Sequence, residues 1–266
     1  MVELQPVDAV EITLVVDNFV DILMAGGDGV RRFPLAYDQF QDREQLVAEH
    51  GFSALVTVES GGRRSSVLYD GGLTPNGLAN NLDVLQVELA GLRAIVVSHG
   101  HVDHHGGLEG LVSRTGLRRL PLLIHPEAWR ERKVTFPTGT ELRLPPPSRA
   151  DLEADPLILD DQNLVVDVAG KGLVVVSACS HAGAVNVLRN ARRLTGRDRI
   201  AGFVGGFHLT GAVFEPIIEP TITALTDLGV ERFVPGHCTG WKATHRLAAA
   251  LPEAFVQPSV GTVVRF

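Results

Sequence analysis

Ser98-His99-Gly100-His101-Val102-Asp103-His104-His105-Gly106-Gly107-Leu108 is the stretch whose reading decides the fold of this chain. Four histidines and an aspartate fall within seven residues, directly after the apolar run Leu92 to Val97. Imidazole and carboxylate are the side chains that hold borderline metals such as zinc at neutral pH. In an extended segment residues two apart point the same way, so His99 and His101 can share one ion. Asp103 and His104, beyond the next bend, can face a second ion beside it. The glycines that follow read as the entry to a helix, with backbone running close to a site.

Working outward, the first half alternates short β-rich runs with turns. Glu11 to Val16, Ser53 to Glu59, Ser66 to Tyr69, Arg93 to Val97 and Leu122 to His125 read as strands, with Gly61-Gly62 as a hairpin turn. Leu78 to Leu85 and Leu108 to Thr115 read as helices. Residues 130–161 break into Pro145-Pro146-Pro147 and scattered acids, the pattern of a lid or substrate wall. The second half gives a hairpin, Leu164 to Val168 and Leu173 to Ala178, turning at Ala169-Gly170-Lys171-Gly172. Then come a helix (Ala184 to Leu194), a strand (Ile200 to Val204), a helix (Pro216 to Leu228) and a strand (Arg232 to Val234). The last three strands end just before His181, His208 and His237. Strand ends gathered at one sheet edge are where α/β enzymes place their chemistry.

The H-x-H-x-D-H pattern on a strand-to-helix turn resembles the metallo-β-lactamase superfamily of metallohydrolases. Further blocks extend the likeness over about residues 10–242: Asp70-Gly71-Gly72, Cys179-Ser180-His181-Ala182-Gly183, Gly205-Gly206-Phe207-His208-Leu209 and Gly236-His237-Cys238-Thr239-Gly240. With Ala48-Glu49-His50-Gly51-Phe52-Ser53 they are similar to the branch of dihydropterin ribofuranosyl-aminobenzene phosphate synthase-like proteins. The resemblance implies a four-layer α/β/β/α sandwich in one domain spanning 1–266, with the site in a cleft along the strand ends. It makes His99, His101, Asp103 and His104 metal ligands, His237 the last ligand, and Asp70 a brace behind the metal loop. Most members carry a bridging aspartate where this chain reads Cys179-Ser180-His181. The isolated third histidine ligand is also missing, since only His105 and His125 stand between the first motif and the Leu164 hairpin. His181 is therefore expected to take that ligand's place on one ion.

His208 follows the precedent of the superfamily's tRNA-processing endonucleases, whose inserted strand ends in a histidine that assists catalysis. General acid, further ligand and structural histidine all remain open for it. His125, Arg130 and Arg132 are candidates for the substrate wall, and Lys133 adds to that positive charge. His50, with Glu49, is expected to support the site from behind. Cys179 and Cys238 are soft ligands, a redox pair or buried small apolar groups. Gly26-Gly27-Asp28-Gly29 lacks the lysine and helix of a phosphate cradle and reads as a loop.

The expected cofactor is one or two divalent ions, zinc first, with manganese or iron also suited to a nitrogen and oxygen donor set. The expected chemistry is hydrolysis by a metal-activated water, with Asp103 orienting it and His208 protonating the leaving group. The alternatives are a pterin-pathway synthase using the ion as Lewis acid, and a non-catalytic metal-dependent sensor. At 266 residues and 45% hydrophobic, the chain can bury a full core. A net charge of −7 argues against nucleic acid as a partner and leaves a small molecule. Two cysteines make no disulfide framework. No leader or apolar span is visible, so the cytoplasm is the expected compartment and no membrane partner is expected.

Overall fold

The computed structural model describes residues 1–33, 45–115, 120–130, 132–135, 138–144, 155–156 and 161–266. Its first half runs β1 (Ala9–Val16), β2 (Val30–Arg31), β3 (Ser53–Ser60), β4 (Arg63–Tyr69), α1 (Gly77–Val84), β5 (Leu92–Val97), α2 (Val102–His105), α3 (Leu108–Thr115) and β6 (Leu122–Ile124). A hairpin β7 (Arg132–Thr135) and β8 (Glu141–Leu144) follows, then β9 (Asp155–Pro156). The second half runs β10 (Asn163–Val168), β11 (Gly172–Ser177), α4 (Ala184–Thr195), β12 (Ile200–Gly206), α5 (Ile218–Asp227), β13 (Phe233–Gly236), α6 (Trp241–Ala250) and β14 (Val263–Arg265).

The strands form one sheet in the order β2-β14-β1-β3-β4-β5-β6-β9 and another in the order β10-β11-β12-β13. Residue alternation along the strands explains the layers. In β11, Val174 and Val176 join Ile12, Leu14, Val56 and Val96 in a core between the two sheets. Their neighbours Leu173 and Val175 face the other way, onto Leu188 of α4, Ile222 of α5 and Leu247 of α6. On the far side, Leu68, Ile95 and Val97 pack against Leu78 and Leu82 of α1 and Leu108 and Leu111 of α3. The result is the expected order of helix, sheet, sheet, helix.

Two expectations about elements change. The 130–161 stretch is not irregular throughout, because β7 and β8 pair from Arg132↔Leu144 to Thr135↔Glu141. Pro145-Pro146-Pro147 lie outside the described residues. The C-terminal segment, read from sequence without elements, supplies α6 and the strand β14, which pairs antiparallel with β1. Among the described residues no helix is long and apolar enough to cross a membrane.

The parallel strands deliver the site. β4 and β5 run parallel, so the residues after them, Asp70 and Ser98, emerge side by side. β11, β12 and β13 are also parallel, and their ends carry Cys179, His208 and His237 to one edge.

Candidate metal centre

Asp70 organises the histidine loop. Its carboxylate is fully buried and accepts from Ser98 N at 2.6 Å, Ser98 Oγ at 2.7 Å and His104 Nδ1 at 2.6 Å. The Ser98 hydroxyl has one proton, and it goes to Asp70, so Ser98 Oγ accepts from His99 Nδ1 at 2.8 Å. Both rings are thereby fixed in one tautomer, with a bare Nε2 facing the cleft. Asp70 thus lies behind the histidine loop, bonded to Ser98 and His104. The loop also lies tight against the turn after β4: Gly71 N donates to His104 O at 2.7 Å. A Cβ on Gly106 would stand 2.0 Å from Leu73 O, which is why a glycine follows the histidines here.

Two donor sets result. In the first, His99 Nε2 lies 2.9 Å from His101 Nδ1 and 3.1 Å from His181 Nε2. His181 thus joins the first pair of histidines, as expected. In the second, Asp103 Oδ2 lies 3.3 Å from His237 Nε2, 3.5 Å from His104 Nε2 and 3.8 Å from His50 Nε2. His104 Nε2 is buried without a hydrogen-bond partner, as is His237 Nδ1. A buried, bare His104 Nε2 beside the Asp103 carboxylate is costly unless a cation sits between them. The donor chemistry therefore fits a divalent ion, with imidazole and carboxylate as the ligands.

The two sets differ in charge. Burial would raise the Asp103 carboxyl, but the His237 hydrogen bond and the charges of His104 and His237 hold it well below the usual carboxylate range. Burial would lower His237; its bond to Asp103 and the charges of Cys238, Asp103 and Asp17 lift it above the ordinary histidine value. His181 is pushed down to about 3, first by burial, then by His208, His101 and His104. Part of the residue still faces solvent, which screens that shift; its direction follows from imidazoles crowding one another.

The strand-end turns are held by backbone strain and buried polar contacts. Asp70, Ser180, His208 and His237 all adopt positive φ, at 62°, 53°, 51° and 44°. Such strain in non-glycine residues collects at functional sites, where surrounding bonds hold it in place. Ser180 Oγ donates to Gly206 O at 2.7 Å. His237 N donates to Asp17 Oδ1 at 2.9 Å, and Asn18 Nδ2 donates to His237 O at 2.9 Å. The sequence reading missed Asp17, although an aspartate directly after an apolar strand is the same signal that marked Asp70. Burial pushes the Asp17 carboxyl up, with the His237 and Asn18 amides opposing.

The remaining candidates fall differently. The His208 ring lies 4.4 Å from that of His181, centroid to centroid, at the edge of the first set. His50 does not stand behind the ligands as expected: its side chain is 65% exposed and reaches the Asp103 side of the cleft directly. Glu49 does the supporting instead, accepting from Leu73 N at 2.7 Å and Thr74 N at 3.1 Å. His125 is corrected from substrate contact to helix cap, since it is buried and its Nδ1 accepts from Glu127 N at 3.0 Å. Arg130 forms an exposed ion pair with Glu127 at 2.7 Å. Arg132 opens β7, and its side chain lies outside the described residues. Cys179 and Cys238 are both buried, with Sγ atoms 3.0 Å apart, and Cys179 Sγ is 3.3 Å from His208 Nδ1. The Cys238 hydrogen bond, then burial, push the Cys179 thiol upward.

Comparisons with known proteins bear on the family and the fold. The chain is 28% identical to the 7,8-dihydropterin-6-methyl-4-(beta-D-ribofuranosyl)-aminobenzene-5'-phosphate synthase of Methanocaldococcus jannaschii, over 90% of this chain and 97% of that protein. Among solved structures, Tm1679, described as a metal-dependent hydrolase of the beta-lactamase superfamily, superposes with a TM-score of 0.70 at 24% identity, covering 97% of this chain and 98% of that one. The metallo-beta-lactamase fold protein YhfI from Bacillus subtilis superposes with a TM-score of 0.53 at 14% identity, over 97% of this chain and 100% of its own. Both superpositions speak to the fold alone. The family model described as Metallo-beta-lactamase superfamily matches residues 48–237, which span β3 to the last histidine of the cluster, and the chain belongs to that superfamily.

Proposed function

We propose that this protein is a metal-dependent hydrolase of a small, anionic ester, lactone or phosphodiester. The observation that carries this reading is the set of three imidazole nitrogens of His99, His101 and His181, within 3.1 Å of the central His99 Nε2 and next to a second set around Asp103. Three protein ligands with a face left open are the arrangement of catalytic rather than structural zinc. His99, His101 and His181 would hold one ion, and Asp103, His104 and His237 a second, with zinc the first candidate for both. An ion there supplies Lewis acidity and lowers the pKa of water in contact with it.

The chain's own residues do the rest. Asp103, ionised and anchored by His237, accepts a hydrogen bond from the attacking water and orients it. His208, half-buried beside His181, gives its proton to the leaving oxygen. A cavity of about 520 Å³ opens beside His237, lined by Phe19, Met24, Trp241, His245 and Pro258. That size and apolar lining suit a small molecule. The acidic balance of the chain makes a nucleic acid a poor substrate.

A second reading is favoured by the methanogen relative, whose matched region covers 97% of its length. In that reading the same cleft binds a dihydropterin and a ribofuranosyl-aminobenzene phosphate and joins them. One assay separates the two: zinc-loaded protein is offered a panel of esters, lactones and phosphodiesters, and separately the dihydropterin and phosphate pair. Hydrolysis lost in Asp103→Asn supports the proposal. A coupled pterin product with no hydrolysis overturns it in favour of the synthase.

A further inference from the structure

The parallel strands that end at the histidine turns begin at cations. Lys171 precedes β11, Arg199 precedes β12 and Arg232 precedes β13, while Arg265 closes β14 beside them. These four residues line one cavity of about 620 Å³, with Phe266 and Asp28. β12 is seven residues long, which puts the cavity roughly 20 Å from the metal centre, at the opposite edge of the sheet. On a chain of net charge −7, this gathering of positive charge runs against the overall balance.

Two of the four cations are matched. Arg199 Nε and Nη2 donate to Glu231 Oε1 and Oε2 at 2.5 and 3.2 Å. Arg265 Nη1 and Nη2 donate to Glu59 Oε1 and Oε2 at 3.2 and 2.5 Å. The other two are not matched in this way. Lys171 is exposed and makes no ion pair among the described residues. Arg232 has only a quarter of its side chain exposed, and its Nη2 stands 3.9 Å from Asp28 Oδ2, on a side chain that lies wholly in solvent. Its remaining contacts are the Arg265 carbonyl oxygen, 3.4 Å from Nη1, and the Phe266 ring, whose centroid is 5.6 Å from the guanidinium carbon. A guanidinium drawn largely out of water onto an aromatic face, with no close carboxylate, is suited to receive an anion.

The backbone is shaped around this arginine. A Cβ on Gly29, which adopts φ 63°, would stand 2.8 Å from Arg232 Nη1 and 2.8 Å from Arg265 O. A Cβ on Gly202 would stand 2.2 Å from the Phe266 ring that carries the guanidinium. The Gly26-Gly27-Asp28-Gly29 stretch, which reads from sequence as a plain loop, is therefore one wall of the cavity. Gly27 and Val30 exchange backbone hydrogen bonds at 2.9 and 3.0 Å, and Gly29 O accepts from Arg265 N at 2.7 Å. We propose that this cavity binds a small polyanion bearing phosphate groups, gripped by Arg232 and Lys171 between the flanking charges of Arg199 and Arg265. Glu231 and Asp28 also line it, so a singly charged anion gains little there and a multiply charged one is required. The site is separate from the metal centre and does not rest on the hydrolase reading.

The test is isothermal titration of the full chain with inorganic pyrophosphate at physiological ionic strength. Two variants assign the site. Lys171→Glu reverses a charge on an exposed turn, where the fold is not at stake, and Arg232→Met keeps an unbranched apolar stem beside Phe266. Binding weakened by about tenfold or more in each is expected, since each removes a charge-assisted contact. Melting temperature and metal content of Lys171→Glu should match wild type, and Asp103→Asn should bind pyrophosphate as wild type does. Binding that survives in Lys171→Glu and Arg232→Met but is lost in Asp103→Asn puts the anion on the metal centre and overturns the proposal. No binding by wild type overturns it as well. Citrate, titrated in place of pyrophosphate, tests the chemical class: weaker binding supports phosphate, and equal affinity overturns that assignment.

Discussion

The histidine loop and the strand-end turns supply the same centre by different means. The loop, 98–108, carries four donors in one contiguous segment, and one buried carboxylate, Asp70, sets two of its rings in position. The turns after β11 and β13 carry one donor each, His181 and His237, and each turn has its own clamp: Ser180 on Gly206, and Asp17 on His237. A contiguous motif needs one brace, whereas a dispersed one needs a brace at every strand end. The same contrast runs through the electrostatics. Crowding and burial push His181 in the first set towards its neutral form, while in the second set Asp103 and His237 shift each other towards their charged forms.

The sharpest way to break the comparison is to remove Asp70. Asp70→Ala leaves Ser98 N, Ser98 Oγ and His104 Nδ1 with no acceptor in the core. The expected loss is about 3–5 kcal/mol of stability, read by denaturant unfolding, together with failure to retain metal. Removing Asp17 tests the other side. Asp17→Asn keeps the size but weakens one turn only, so an affinity loss of roughly 10–100-fold at the second set is expected, with the first set still loaded. Equal loss at both sets would mean that the turns are not braced independently.

A change in turnover rather than in metal affinity separates ligand from proton donor. His208→Ala should keep its metal content and lower turnover by about 10²–10⁴-fold. An emptied site in that variant would make His208 a ligand. The smallest effect is in pH. The folded value of His181 lies below its ordinary 6.5, so the unfolded chain binds more protons in acid. Stability of the metal-free protein should therefore fall as pH drops below about 6.5, and fall less in His181→Gln. His237, with a raised value, contributes with the opposite sign, favouring the fold below about 6.5 and losing that as pH rises through its folded value. Melting curves across pH 4 to 8 would show whether these slopes oppose one another.

What could be read from sequence follows the same division. The loop was legible as a cluster because its candidate donors are local, within seven residues of one strand end. Strands β3 to β5 and β10 to β13 were legible because their apolar runs are bounded by turn residues. His181 was placed on one ion because the interval before it lacked another suitable histidine. The exposed position of His50 and the contact of Asp17 with the His237 turn were not read from sequence. Asp17 carried the strand-end signal that marked Asp70, but which turn it would hold depends on which strand ends meet, and that is not encoded locally. His125 misled for the converse reason: it ends a strand as a ligand would, but Pro126 and Glu127 turn it into a cap. β14 was too short and too far from any motif to be read before its pairing with β1 was seen.

Metal content, measured by mass spectrometry on wild type beside His181→Ala, tests the central claim most directly. Two zinc ions per chain falling to one in the variant is the result expected if His181 completes the first donor set and Asp103, His104 and His237 form another. An unchanged count in His181→Ala would contradict that division of the centre.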